Sequence, residues 1–516
     1  MTKKTRFIIA IDIGTTRCKT ALFKSSGELV AYASSSSNIT FSPDGKVEAD
    51  ADAQWWKPIV KNIKEIFKNK KSALKNLAGI GISCTNALVF IDNNGKPLVP
   101  AVMQFDKRTT DLVNSYSKRL NPEELFEITL NRLTVGSSAL PTILWFKENA
   151  RSIYKKTAKF LYPTGYINFK LTGNPSIDIS RTGTTLMYDT KGKNWSKELL
   201  NYFELDEDKL PPVYNSTDVI GTVNAKASKE TGIPEGVPVI AGSMDTFSAV
   251  IGLGAEKPND TVLIPGTVAR LCKIISGRGL LKDPFINFEY GKKRFLSIAC
   301  MDGMGTSYKW YAETFNKKEL LQREKNIKKK SAKKETEEAI PPCSDGLIYL
   351  PYITGERSPI WDPYAHGVIF GLSPNCKSKN IYQSIIEGCA FAVKMNIEIM
   401  SDEAGLKTKS LIVPETGFGS YPEWMQIFAD VTGCEIQTLT TNDPECTGTA
   451  ALTAEGTGAI KDRTSFVKKN IKKGTNYRPD KNRNMAYNSF YILYKKIYDD
   501  LRSDFRILNE IRKNLK

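Results

Sequence analysis

The chain has 516 residues, 41% of them hydrophobic and 25% charged, and a formal net charge of +17. This length is too great for a single core and the composition is globular, so we expect two domains and exclude a disordered chain. A single histidine and nine scattered cysteines argue against Cys/His metal clusters, a disulfide framework and catalysis by paired histidines, and favour a reducing, cytoplasmic setting.

Residues 7–24, FIIAIDIGTTRCKTALFK, predict two strands, 7–13 and 18–24, around the turn Gly14-Thr15-Thr16. Asp12 interrupts the apolar run after five residues, fewer than the ~7 of a secretory signal core, so no signal peptide is expected. A carboxylate buried in a strand is costly unless a cation or hydrogen-bond donors compensate for it. Asp12 is therefore a candidate functional residue.

Further elements follow in the first half of the chain. Residues 77–98 predict a strand, a loop, a second strand and a turn, and residues 145–162 have helical spacing. Residues 165–173 predict a helix closed by a glycine. Residues 237–241 predict a strand, which leads through a loop at Asp245 into a helix. Asp245 is interpreted either as an ordinary N-cap or as a general base that takes a proton from a substrate hydroxyl.

Residues 261–275 partly repeat the N-terminal pattern, because two β-rich runs flank Gly266-Thr267-Val268. The repeat predicts two related domains, although a Gly-Thr pair is common enough to recur by chance. The chain contains neither GxxxxGK[ST] nor GxGxxG. Two facing Gly-Thr turns offer backbone N–H groups and hydroxyls to phosphates, Lys19 adds a positive charge, and Asp12 fits a holder of hydrated Mg²⁺.

The remaining segments predict surface and packing elements. Residues 317–334 and residues 461–483 each contain nine Lys or Arg against two acidic residues, without the interleaving of aromatics typical of a single-strand groove. We predict solvated surface for both, with a charged insertion over 317–338, and keep nucleic-acid binding as a weaker alternative. Near the C-terminus, apolar residues at three- to four-residue intervals predict an amphipathic helix that packs on the body. They are Tyr487, Tyr491, Tyr494, Ile497, Tyr498 and Leu501.

Motifs along almost the whole chain resemble the FGGY family of carbohydrate kinases in order and spacing. They include IDIGTT (11–16), VEADADAQWW (47–56), KPLVPAVMQFDKR (96–108), YPTGYINFKLTG (162–173), GVPVIAGSMDTFSAVIGLG (236–254), GERSPIWDPYAHGVIFGL (355–372), TGFGSYPEWMQIFADVTG (416–433) and TGTAALTAEGTGA (447–459). The resemblance implies an α/β fold of two ribonuclease-H-like (actin-like ATPase) domains, residues 1–254 and 255–516, with a catalytic cleft between them.

The resemblance also implies a role for each motif. Asp245 matches the catalytic base, and Asp12 matches the acid that coordinates Mg²⁺ beside ATP. The other implied residues fall into three groups: the two phosphate loops (Gly14, Thr15, Thr16, Lys19; Gly266, Thr267), the adenosine loop (Thr416, Gly417, Phe418, Gly419) and the sugar pocket (Thr85, Asn86, Asp106, Arg108).

Four sites in the sequence depart from the family pattern. Phe418 replaces a glycine of the adenosine loop, which is expected to alter nucleotide contacts or to stack near the base, and Val268 replaces a serine of the second phosphate loop. Gln104 and Phe105 stand where a tryptophan usually precedes D-x-R. Residues 83–86, Ser-Cys-Thr-Asn, replace the Gln-Met-His of many pentulose kinases, so xylulose is one candidate among several.

These observations predict an ATP- and Mg²⁺-dependent kinase of a small sugar, with a pentulose such as xylulose favoured. The alternatives are a kinase of another sugar, polyol or sugar acid (of the glycerol, erythritol, gluconate or fuculose type), or a non-catalytic ATP-binding regulator of the same fold. We expect a small-molecule substrate, no nucleic-acid or membrane partner, and a homodimer as the default oligomer.

Overall fold

The computed structural model describes residues 5–277, 279–280, 285–291, 293–315 and 342–515. The basic segment 317–334 and the whole of the insertion predicted over 317–338 therefore lie outside the described residues. Two seven-stranded sheets dominate the described part, one formed early in the chain and one formed late.

The first sheet contains strands β1 to β7 in chain order. They span Phe7–Ile13, Arg17–Lys24, Leu29–Ser36, Leu77–Cys84, Val219–Thr222, Pro238–Ile240 and Ser243–Met244. Their order in space is β5-β6-β4-β1-β2-β3, with β7 also paired to β4. Strand β1 is antiparallel to β2 and parallel to β4.

The second sheet contains strands β8 to β14. They span Thr261–Ile264, Ala269–Ser276, Ile286–Gly291, Arg294–Met301, Ser410–Pro414, Glu435–Thr441 and Ile471–Tyr477. Their order is β10-β11-β9-β8-β12-β13-β14. Strand β8 is antiparallel to β9 and parallel to β12.

The two sheets confirm the predicted repeat. In each sheet an antiparallel hairpin has a third antiparallel strand on one side and two parallel strands on the other side. The spatial order is β3-β2-β1-β4-β6 in the first sheet and β11-β9-β8-β12-β13 in the second. This is the order expected of two ribonuclease-H-like units. The Gly-Thr turns join β1 to β2 and β8 to β9, as predicted.

Short strands and helices cover these sheets. A smaller sheet joins Thr40–Phe41, Val47–Ala49, Ala101–Met103, Ala87–Ile91 and Lys159–Leu161, and three two-stranded pairs join Ile177–Asp178 to Val213–Tyr214, Tyr188–Asp189 to Asn194–Trp195, and Ile348–Leu350 to Val368–Phe370. The helices are Asp52–Trp56 (π), Lys57–Lys68, Lys71–Leu74, Thr110–Tyr116, Pro122–Thr129, Ala139–Asn149, Arg151–Lys156, Pro163–Thr172, Ile179–Thr185, Lys197–Tyr202, Glu207–Lys209 (3₁₀), Ala225–Thr231, Asp245–Gly252, Met304–Phe315, Pro342–Gly346 (3₁₀), Ser378–Ala404, Gly417–Ser420 (3₁₀), Pro422–Thr432, Pro444–Gly456, Arg463–Lys468 and Lys481–Asn514.

The segment 145–162 differs from its prediction as one helix. Helix Ala139–Asn149 starts earlier and ends at Ala150, where φ is −140°, and a second short helix, Arg151–Lys156, follows. Residues 159–161 then form a strand because they pair with Val89–Ile91 of the smaller sheet. A tertiary partner thus overrides the local helical spacing.

Helix Pro444–Gly456, called the bridging helix below, connects the two halves of the molecule. It belongs to the late part of the sequence, yet it packs on the first sheet and on helix Asp245–Gly252. The contact is close: a Cβ added at Gly448 would lie 1.8 Å from the carbonyl oxygen of Ser248, and one at Gly252 would lie 1.9 Å from that of Pro444. Only glycine fits this crossing. The division of the chain at residue 254 stays a prediction.

The C-terminal helix and the basic strand within residues 461–483 agree with their predictions. Helix Lys481–Asn514 buries Tyr487, Tyr491, Tyr494, Ile497 and Tyr498 in the core of the second half, with Leu501 packed against it. Residues 471–477 form the edge strand β14 of the second sheet and are largely exposed, so their lysines lie on the surface.

Candidate active site

Asp12 is buried near the end of strand β1, with 2% of its surface exposed. Its Oδ1 accepts a hydrogen bond of 2.8 Å from the Ser83 hydroxyl, and its Oδ2 lies 3.2 Å from the Lys19 ammonium. Both contacts follow from the fold, because Asp12 pairs with Ser83 across β1/β4 and with Lys19 across β1/β2. Burial raises the pKa of Asp12 to about 6; Lys19 opposes the rise, and nearby carboxylates add to it.

Lys19 connects strand β2 to the start of the bridging helix. Its Nζ lies 3.2 Å from Asp12, 3.1 Å from Asp443 and 3.3 Å from Glu445. Burial alone would lower the pKa of Lys19, but the three carboxylates outweigh burial and raise it above its ordinary value. Sequence reasoning missed Asp443 and Glu445, since nothing local in the sequence brings residues 443–445 beside residue 19.

Ionisation of the Glu445 carboxyl is unfavourable in this cluster. Burial raises its pKa to about 8, an effect that Lys19 opposes and that Asp12 and Asp443 reinforce. One ammonium therefore faces three carboxylates that repel one another. Such a cluster attracts further cations and repels a bare anion.

The first Gly-Thr turn lies beside this cluster. The Gly14 N–H donates to the Arg17 carbonyl oxygen at 2.9 Å, and a Cβ at Gly14 would lie 3.0 Å from that oxygen. The Thr15 and Thr85 hydroxyls are 3.1 Å apart, and Thr16 is exposed. The turn is thus fixed by its own backbone and presents a threonine at the surface.

The second Gly-Thr turn rests on the start of helix Met304–Phe315. A Cβ at Gly305 would lie 2.4 Å from the Gly266 carbonyl oxygen, and the Thr306 hydroxyl is 3.4 Å from the Thr267 carbonyl oxygen. Thr267 is exposed. An exposed hydroxyl beside a helix N-terminus is an environment that favours anions.

Asp245 opens helix Asp245–Gly252, directly after strand β7. Met244, not Asp245, is the N-cap, and the Asp245 carboxylate accepts hydrogen bonds from the Thr246 amide at 2.6 Å and the Thr246 hydroxyl at 3.1 Å. Strands β1 and β7 both pair with β4 at Ser83, so Asp12, near the end of β1, and Asp245, directly after β7, lie at the same edge of one sheet. The Asp245 charge is close enough to raise the pKa of Asp12.

Two arginines that sequence reasoning missed face this region. Arg270 of strand β9 donates from Nη1 to the Thr246 hydroxyl at 2.9 Å. Arg181 is buried and donates to the carbonyl oxygens of Cys84 and, at 2.9 Å, Thr85. Burial would lower both guanidinium pKa values, but neighbouring groups that include Asp245 raise them. Both positive charges therefore lie near the Asp245 carboxylate.

Thr85 and Asn86 follow strand β4 at the same end of the sheet. Thr85 is buried, and its amide donates to the Ile13 carbonyl oxygen at 2.7 Å. The Asn86 side chain donates to the Ser137 carbonyl oxygen at 2.6 Å. The structure thus brings Thr85 next to the first Gly-Thr turn.

Asp106 and Arg108 form a closed pair. The Arg108 guanidinium donates to both Asp106 oxygens at 2.8 Å and to Glu48 at 2.5 Å, and the Val47 amide donates to Asp106 at 2.7 Å. The Arg108 guanidinium also lies 5.3 Å from the Trp145 ring centre. The pair holds strand Val47–Ala49 against loop 104–108, and its contact with a sugar stays a prediction.

The loop Thr416, Gly417, Phe418 and Gly419 follows strand β12 of the second sheet. Gly417 has φ of 51°, a conformation that favours glycine. The Phe418 ring is buried and stacks on Trp424, with ring centres 4.9 Å apart. The Phe418 side chain therefore serves the core and does not stack near a nucleotide base, and the backbone groups and the exposed Thr416 side chain are the parts of this loop available for a ligand.

A cavity of about 1060 Å³ lies elsewhere, along helix Lys57–Lys68. None of the predicted site residues line it. Its acids already have partners in the chain: Asp52 accepts from Lys170 and Tyr166, and Glu230 accepts from the Trp56 indole. We place the candidate site at the strand ends because Asp12, Asp245 and the first Gly-Thr turn come together there.

The carboxylate oxygens of this site suit a magnesium ion most of whose ligands are water and phosphate oxygens. In the described ranges no cluster of three or more Asp, Glu, Cys or His residues is arranged to hold a metal, and Lys19 occupies the centre of the three-carboxylate cluster. Mg²⁺ is commonly held by one or two carboxylates plus substrate phosphates. Asp12, buried beside the phosphate-type turn, fits that need.

Across the part of the chain that the structure describes, no helix has both the length and the hydropathy of a membrane span.

Family models match both halves of the chain. The N-terminal domain model of the FGGY family of carbohydrate kinases matches residues 7–252, and the C-terminal domain model matches residues 282–455. A similar curated protein is the xylulose kinase of Bacillus subtilis (strain 168), 28% identical over 512 residues, with 99% of this chain and 100% of the relative covered.

Solved structures share the fold. The xylulose kinase of Lactobacillus acidophilus superposes with a TM-score of 0.88 at 21% identity, covering 98% of this chain and 100% of the other. Plasmodium falciparum glycerol kinase with ADP superposes with a TM-score of 0.85 at 19% identity, covering 95% and 98%. The predicted architecture of two actin-like ATPase units is confirmed.

Proposed function

Because this chain belongs to the FGGY family of carbohydrate kinases, we propose that it transfers the γ-phosphoryl group of ATP to a hydroxyl of a small sugar, with a pentulose such as xylulose favoured. The observation that carries the proposal is the placement of Asp12 and Asp245 at the ends of two strands that flank β4 and run parallel to it, beside a Gly-Thr turn. The relatives named as xylulose kinases support the substrate class.

Asp245 is the proposed catalytic base. It lies at the start of a helix, half-buried, with Thr246 fixing one carboxylate oxygen and leaving the other for the sugar. It takes the proton as the hydroxyl oxygen attacks the γ-phosphorus. General-base catalysis of this type contributes about 10²–10⁴-fold in rate.

Asp12 is the proposed magnesium ligand. When bound, the ion neutralises charge on the β- and γ-phosphates. Ser83 fixes the orientation of the Asp12 carboxylate, the group that would hold the ion. Gly14, Thr15, Thr16 and Lys19 on one side, and Gly266 and Thr267 on the other, orient the phosphates through N–H, hydroxyl and ammonium donors.

Thr416, Gly417, Phe418 and Gly419 are proposed to hold adenosine through their backbone, because the Phe418 ring is committed to the core. Thr85 and Asn86 are proposed sugar contacts. Asp106 and Arg108 are proposed to act at the rim of the sugar site, where their mutual ion pair keeps loop 104–108 in one shape. The division into residues 1–254 and 255–516, cytoplasmic location and a homodimer belong to the same proposal.

The substrate is tested by ADP release, coupled to an optical readout, over xylulose, other ketoses, glycerol, erythritol and gluconate. We expect the highest kcat/KM with a pentulose. A higher value with gluconate or glycerol would overturn the pentulose assignment. Nucleotide binding without turnover on any member would favour the alternative of a non-catalytic regulator.

Asp245→Asn tests the base. The amide keeps the shape of the side chain but accepts no proton, so we expect kcat to fall at least ~100-fold while nucleotide affinity stays nearly constant. The control is Asp44→Asn, an exposed aspartate paired with Lys46, which should retain full activity. Near-wild-type turnover in Asp245→Asn would remove this residue from the base role.

A further inference from the structure

Lys19 is held from two directions, by Asp12 of its own hairpin and by Asp443 and Glu445 at the start of the bridging helix. The ammonium is mostly buried, with 22% of the side chain exposed. Its three ion pairs are 3.1 to 3.3 Å long. The lysine proposed to meet phosphates is therefore fixed by a helix from the other half of the chain.

The two bridging-helix acids differ in what else they bind. The Oδ1 of Asp443 caps the helix by accepting from the Cys446 amide at 2.9 Å, and its Oδ2 faces Lys19 and the Tyr32 hydroxyl. Glu445 has no capping role, and within the described chain Lys19 is the residue that bonds its carboxylate. The position of a largely buried glutamate here is explained by its contact with Lys19.

We propose that Asp443 and Glu445 are positioning residues that hold the Lys19 ammonium at the first phosphate loop and make its position depend on the bridging helix. The inference rests on the proposed function. It goes further by assigning to the second half of the chain control over a phosphate-binding group of the first half.

The bridging helix is suited to this role because it also contacts the helix that begins with Asp245. The two helices touch backbone to backbone at Gly448 and Gly252, and the Ser248 and Thr449 hydroxyls are 2.9 Å apart. A tightly packed crossing moves as a unit rather than deforming. A displacement of the bridging helix thus reaches both Lys19 and the proposed base.

A double-mutant cycle on the full-length protein tests the proposal. At pH 9, where the Glu445 carboxylate is ionised, Glu445→Gln removes a negative charge near the phosphates, so we expect the Kd of a non-hydrolysable ATP analogue with Mg²⁺ to fall at least threefold. Lys19 is also released, so kcat should fall at least tenfold. In a Lys19→Met background the same Glu445→Gln change should alter kcat less than twofold.

The matched control is Glu455→Gln, which removes a carboxylate from the same helix where it pairs with Arg463 at 2.9 Å. We expect wild-type Kd and kcat. Asp443→Asn, which retains a capping side chain, is the second variant and should show the same opposed changes in Kd and kcat. Circular dichroism confirms folding of each variant.

Equal effects of Glu445→Gln in both backgrounds, or weaker nucleotide binding with unchanged kcat, would overturn the positioning role. Failure of the wild-type protein to bind the nucleotide analogue would instead count against the proposed function itself. The two failures are therefore distinguishable.

Discussion

The two Gly-Thr hairpins have the same topology but different charge. In the first, Lys19 pairs across the hairpin with Asp12 and reaches the bridging helix of the other half. In the second, Arg270 pairs across the hairpin with Ile264 and reaches Thr246 in the Asp245 helix of the other half. Each hairpin thus places one cationic side chain against a helix from the other half of the chain.

The difference lies in what surrounds each cation. Lys19 is in direct contact with three carboxylates, whereas Arg270 donates to a hydroxyl and faces Asp245 at longer range. We infer that the two copies of a duplicated framework have taken different roles. The first hairpin balances the charges of phosphate and metal, and the second positions the proposed base through Thr246.

Among substitutions that distinguish the roles of the two hairpins, replacing Arg270 should change kcat the most. Arg270→Met removes the donor to Thr246, the residue that fixes the Asp245 carboxylate. We expect kcat to fall at least tenfold, with nucleotide Kd changed less than threefold, as measured by steady-state kinetics and calorimetry. Loss of a hydrogen bond to a charged group is typically worth ~1.5–3 kcal/mol, in line with this fold-change.

The control is Arg294→Met, the same substitution on the adjacent strand β11, where the guanidinium donates to the Glu256 carbonyl oxygen. It should leave kcat unchanged. If Arg270→Met weakened nucleotide binding rather than turnover, the two hairpins would share one role.

The pH dependence of stability should sharpen the contrast. Glu445 has a folded pKa raised to about 8, so its contribution to stability is full below its unfolded pKa and is lost as pH rises through the folded value. Between pH 6 and pH 9, urea unfolding should therefore show Glu445→Gln gaining at least ~1 kcal/mol relative to wild type. A difference that stays constant with pH would mean that Glu445 carries no such cost.

The smallest effects should come from the turn threonines. Thr16→Val and Thr267→Val each remove one exposed hydroxyl proposed to meet phosphate. We expect KM for ATP to rise about three- to tenfold in each, corresponding to one hydrogen bond of ~1 kcal/mol, with kcat little changed. An unchanged KM in Thr267→Val would remove the second turn from phosphate binding.

Local patterns predicted the framework well. The strands on either side of each Gly-Thr turn, the helix closed by Gly173 and the aromatic face of the C-terminal helix all follow from spacing and glycine chemistry. The segment 145–162 was predicted wrongly as a single helix, because pairing of residues 159–161 with a distant strand is invisible to local periodicity.

The partners of the site residues were harder to predict. Asp12 was expected to need a cation or hydrogen-bond donors, and Lys19 and Ser83 provide them, but Asp443, Glu445, Arg181 and Arg270 gave no signal. Their contacts depend on how two halves of the chain cross. Such a crossing is set by close backbone packing at Gly448 and Gly252, for which an isolated glycine in the sequence is a weak indicator.

The bridging helix also has a consequence for synthesis of the protein. One face of strands β1 and β2, with Ile8, Ala10 and Phe23, shares a core with Ala450 and Leu452 of that helix. At ribosomal rates of about 5–20 residues per second, roughly 20–90 seconds separate the emergence of these two regions. The earliest strands therefore remain with an apolar face uncovered, which makes the nascent chain a natural client for chaperones that bind exposed hydrophobic segments.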